Sequence, residues 1–93
     1  ILDPPAYGRG ADGEKWVLEE NINEMIKLCS QLIDPQEHFL IMSLYSMGFS
    51  SLISSNLIKS AFGDQINPES GELYLNDKFG KKLPLGTVVR FSK

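Results

Sequence analysis

The stretch from Leu18 to Ile33 places Leu18, Ile22, Met25, Ile26, Cys29, Leu32 and Ile33 on one helical face, and this constrains the fold most. Glu14, Glu19, Glu20 and Glu24 load its N-terminal half, where the helix dipole favours anions. Asp34-Pro35 stops it, because the residue before a proline avoids helical geometry. His38 to Tyr45 is apolar without a helical period and reads as a buried strand. Ser46 to Ser51 is expected to turn the chain around Gly48, with a serine at 50 or 51 capping a second helix. Leu52, Ile53, Leu57, Ala61 and Phe62 form the apolar stripe of that helix, and Gly63 stops it. From Gln65 onward the helical period is gone. Leu73 and Leu75, then Leu85, Val88, Val89 and Phe91, suggest two strands joined by a polar loop, Asn76 to Lys82. Ile1 to Asp3 reads as the end of a buried parallel strand, and Gly8 to Gly13 as a loop. The order is strand, helix, strand, helix, strand, strand, an α/β pattern. Helical crossovers of this length imply parallel pairing with right-handed connections.

A chain of 93 residues makes one domain at most. No apolar run reaches the roughly 20 residues of a membrane span, and no signal peptide is visible. Cys29 is the only cysteine, so no internal disulfide can form, and a reducing cytoplasm fits. One histidine and one cysteine make a metal site very poorly supported. The net charge of −3 gives no global attraction to nucleic acid. Lys78, Lys81, Lys82, Arg90 and Lys93 cluster late, and a solvated strand edge outweighs RNA contact as their explanation.

The segment Asp3-Pro4-Pro5-Ala6-Tyr7 carries the chemistry. Each proline lacks an N–H, fixes its own φ and holds the preceding residue extended. The main chain at Pro4 and Pro5 therefore offers only acceptors. A carboxylate, rigid carbonyls and a ring at a strand mouth suit a flat group with an exocyclic amine. From these residues alone, Asp3 is as readily a structural cap bonding loop N–H groups.

The run resembles motif IV of class I S-adenosylmethionine-dependent methyltransferases. Gly8-Arg9-Gly10, Glu14-Lys15-Trp16, Ser43-Leu44-Tyr45-Ser46, Glu69-Ser70-Gly71-Glu72-Leu73 and Leu83-Pro84-Leu85-Gly86 follow it in the order seen in one branch. That branch is the bacterial enzymes related to large-subunit ribosomal RNA methyltransferases. The resemblance runs from Ile1 to Lys93 and implies the C-terminal half of a methyltransferase catalytic domain. The glycine-rich turn and acidic residue that build most of the family's cofactor site are not in this sequence, and Ile1 sits inside a strand. The implied fold is half of a Rossmann-like domain: a mixed, mostly parallel sheet of about four strands, two helices on one face and a C-terminal antiparallel hairpin whose last strand inserts between two others.

The resemblance also implies roles. Asp3, Pro4 and Pro5 are the catalytic set, with Asp3 accepting from the target nitrogen and also facing the cofactor, S-adenosylmethionine. Tyr7 stacks on the substrate base. Arg9, a phosphate contact or an exposed loop charge, joins it in the substrate-binding set. Trp16, near the helix start, lines the cleft or simply buries area. His38 reads as a satisfied surface or edge residue. In 5-methylcytosine members of the family a cysteine follows the strand matching His38 to Tyr45. Here that stretch is Ser43-Leu44-Tyr45-Ser46, and Cys29 lies on the helix face, so covalent attack on a pyrimidine is disfavoured. The expected substrate is a purine nitrogen in RNA, methylated by the whole enzyme and not by the isolated chain. The isolated chain is expected either to self-associate across an uncovered sheet face or to be marginally stable. The alternative is a non-catalytic α/β interaction module.

Overall fold

The computed structural model describes residues 1–46 and 48–93. Two helices and five strands follow in the order β1 (Tyr7–Arg9), β2 (Lys15–Val17), α1 (Leu18–Leu32), β3 (Phe39–Leu44), α2 (Ser51–Phe62), β4 (Glu69–Asn76) and β5 (Lys82–Ser92). The expected turn from Ser46 to Ser51 includes Met47, which lies outside the described residues.

The sheet corrects the mostly parallel expectation. Its order is β3-β5-β4, and β5 pairs antiparallel with both neighbours. The crossover through α2 does carry the chain from β3 to a strand running the same way. The position between them is taken by β5, however, so β3 and β4 share no hydrogen bonds. The first strand shrinks to one parallel bridge, Leu2 to Met42, on the free edge of β3. Leu2 N–H donates to Ile41 O at 2.8 Å, and Ser43 N–H donates to Leu2 O at 2.9 Å. The expected loop after Tyr7 instead closes a small antiparallel ribbon, β1 with β2, in which Gly8 faces Trp16. Trp16 therefore sits on a strand, two residues before α1 begins.

Alternation along β3 sends Leu40, Met42 and Leu44 to the core, where they meet Val89 and Phe91 of β5. Leu18, Ile22 and Ile26 of α1 and Ile58 of α2 close the same core. Each such fully buried side chain contributes roughly 1.5–3 kcal/mol. The α1 stripe is narrower than its sequence suggests, since Leu32 in the last turn is 86% exposed. In α2 the buried face is set by Ser54 and Ile58, while Leu52 and Ile53 project outward. Ser50 caps α2 by accepting from the Ile53 N–H at 3.3 Å, and Gly63 ends it at φ 93°.

The other face of the sheet carries Phe39, Ile41, Val88, Gly71 and Leu73 and stays open, with Phe39 60% exposed. Gly86, at φ 113°, lets β5 pass close beside the end of β3. A Cβ there would collide with the Leu44 carbonyl.

Candidate functional site

The segment around Asp3 is held from both sides. Leu2 is bonded into the edge of β3, and two residues later in that strand Ser43 Oγ donates to Asp3 Oδ1 at 2.6 Å. Trp16 Nε1 donates to Pro5 O at 2.7 Å. The Ala6 carbonyl accepts from Leu18 N–H at 3.0 Å, so the strand-to-loop segment also covers a free donor at the start of α1. Asn21 Oδ1 covers the neighbouring Val17 N–H at 2.9 Å.

Of the two proline carbonyls expected to face outward, that of Pro5 is taken by Trp16. No donor among the described residues meets the Pro4 carbonyl. Asp3 keeps its second carboxylate oxygen without a partner among those residues. Asp3 and the free Pro4 carbonyl thus remain as adjacent acceptors, which suits an amine donor. Tyr7 is 53% exposed, and its hydroxyl accepts from Arg9 Nε at 3.0 Å. The ring and the guanidinium therefore form one exposed pair at the start of β1.

Three further residues belong here: Trp16, for which the sequence offers either the cleft or simple burial, and Ser43 and Ser46, for which it offers no site role. Ser43 and Trp16 anchor the acceptor segment. Ser46, just beyond β3, donates to Glu19 Oε1 at 3.0 Å and ties the end of that strand to the first turn of α1. Ser43 and Ser46 lay within a segment that sequence order had singled out, but no local signal tells which side chain a serine forty positions away will meet.

The remaining candidates lie elsewhere. Cys29 is half-buried on α1. The His38 ring packs edge-on to Phe91 at 5.5 Å between centroids. Its Nδ1 lies 2.6 Å from the Asp34 carbonyl, so Nδ1 carries the proton and donates. Its Nε2 is buried with no partner among the described residues, which corrects the expectation of a satisfied histidine. Arg90 pairs with Glu69 at 2.9 Å, and Lys82 lies over the Tyr74 ring at 4.7 Å. Among the described residues no group of three His, Cys, Asp or Glu could hold a metal ion, and no helix is long and apolar enough to cross a membrane.

No family model and no curated protein matches the chain. Among solved structures it is similar to an S-adenosylmethionine-dependent methyltransferase from Agrobacterium tumefaciens, with a TM-score of 0.83 and 26% sequence identity. The match covers 96% of this chain and 31% of that enzyme, so the chain resembles one part of a methyltransferase.

Proposed function

We propose that the chain forms the substrate side of an S-adenosylmethionine-dependent methyltransferase acting on an amino-bearing purine in RNA. The observation that carries this is the Asp3-Pro4 acceptor pair, clamped by Ser43 and Trp16 inside a fold similar to part of such an enzyme. When bound, S-adenosylmethionine supplies a methyl group already activated on a sulfonium. The free oxygen of Asp3 fits one contact at that reaction centre, and no glycine-rich cradle for the cofactor is present in this sequence.

Asp3 and the Pro4 carbonyl accept from the target amine and fix the direction of its lone pair. Tyr7 offers an exposed ring for stacking, held by Arg9. The work done by these residues is positioning more than proton removal. The Ser43–Ser46 stretch contains no cysteine, which favours nitrogen over a ring carbon that needs thiolate attack.

The test is methyl transfer from labelled S-adenosylmethionine to unmodified ribosomal RNA transcripts by the full-length protein. Asp3→Ala is expected to lower turnover by at least about a hundredfold while cofactor affinity stays within about twofold. Near wild-type turnover in Asp3→Ala would overturn the assignment. Absence of transfer by the wild-type protein would favour the non-catalytic module.

A further inference from the structure

Three of the ordered sequence segments have no part in the Asp3 clamp beyond Ser43, yet they converge on one cavity. Tyr45 and Ser46 follow β3, Glu72 lies on β4, and Pro84, Gly86 and Thr87 lie on β5; together with Phe49 they line a space of about 480 Å³. That volume is in the range of small-molecule sites. Two aromatic rings and a proline make apolar walls. Glu72 faces Thr87 across the strand pair, and no cation among the described residues forms an ion pair with it. At Gly86 a side chain would strike the Leu44 carbonyl, so the backbone itself forms that part of the wall.

The position of the cavity relative to Asp3 decides what it can hold. Leu2 lies on one edge of β3 and β5 on the other, giving the lateral order Leu2, β3, β5, β4. At roughly 4.8 Å per strand, Glu72 is about 14 Å across from the Asp3 segment, whereas Tyr45 continues the adjacent strand. Alternation also sends Ser43, which holds Asp3, and Leu44 to opposite faces, so a substrate that meets both Asp3 and the cavity has to pass around the end of β3. One ring cannot touch both carboxylates, but an extended substrate can.

We propose that this cavity is a second subsite, holding a planar heterocycle next to the methylated group in the same substrate strand. The proposal rests on the methyltransferase reading above. A carboxylate between stacking walls selects a ring that presents two adjacent N–H donors, as guanine does, because it can accept both. Adenine presents one donor beside an acceptor and meets Glu72 less well.

The test is a nuclear magnetic resonance titration of the full-length protein with guanosine 5′-monophosphate and adenosine 5′-monophosphate. The guanosine nucleotide is expected to shift the Ser46, Glu72, Gly86 and Thr87 amides and to bind about tenfold more tightly than the adenosine one. Glu72→Gln, at an exposed position, should remove that preference without disturbing the fold. Equal binding of both nucleotides, or an unchanged preference in Glu72→Gln, would overturn the subsite. Asp3→Ala separates the two readings: it should keep the nucleotide preference while losing methyl transfer. Retained methyl transfer in Asp3→Ala would overturn the function, while the titration alone would still decide the subsite.

Discussion

Ser43 Oγ donates a 2.6 Å hydrogen bond to Asp3 Oδ1 across forty residues of chain. It holds one carboxylate oxygen and leaves the other without a partner among the described residues. Ser43→Ala is expected to lower kcat about tenfold with KM nearly unchanged, because the acceptor loses its orientation and not its charge. Ser43→Thr, which keeps a hydroxyl, should restore most of the rate. Steady-state kinetics with a melting curve would check this; a parallel loss of stability would assign Ser43 a structural role instead.

Gly86→Ala tests the crossing of β5 past the end of β3. The substitution brings a Cβ into the Leu44 carbonyl and strains a residue held at φ 113°. A loss of about 2–4 kcal/mol is expected in urea unfolding. A change below about 0.5 kcal/mol would mean that β5 shifts freely there.

The open sheet face predicts the behaviour of the 93 residues by themselves. Phe39 is 60% exposed on the same sheet face as Ile41, Val88 and Leu73, and the outer edge of β3 is paired only through Leu2. Sedimentation is expected to show self-association at micromolar concentration. Phe39→Lys should shift the distribution toward monomer. A monodisperse monomer in the unmodified chain would contradict the expectation.

Asp34 provides a pH dependence of known sign. The Gln36 and Glu37 N–H groups donate to its Oδ1 at 2.7 and 3.2 Å and hold its carboxyl below the ordinary range. Its folded pKa lies below the unfolded one, so its stabilisation is present above the ordinary carboxylate pKa and is lost as pH falls through the folded value. A carbon-13 carboxyl titration should place the Asp34 midpoint below that of an unstructured peptide. A midpoint at or above the peptide's would show that the turn is open in solution.

The sequence determined the elements whose signals are local. The Leu18-Ile22-Ile26 face, the stop at Asp34-Pro35, a serine cap at 50 or 51 and the Gly63 terminus each depend on neighbours within a turn or two of helix, and the apolar run at Phe39–Leu44 needs only its own composition. It also marked Asp3-Pro4-Pro5, since proline's restrictions act on adjacent residues. Tertiary structure decided the partners. β5 taking the place between β3 and β4, Trp16 on a strand capturing the Pro5 carbonyl, and Ser43 meeting Asp3 are pairings between distant residues, in which many chain positions offer the same donor or acceptor. The same limit explains the apolar residues Leu32, Leu52 and Ile53: hydrophobicity says that a side chain gains by burial, but only the packing of α1 and α2 on one finite sheet decides which of them finds room.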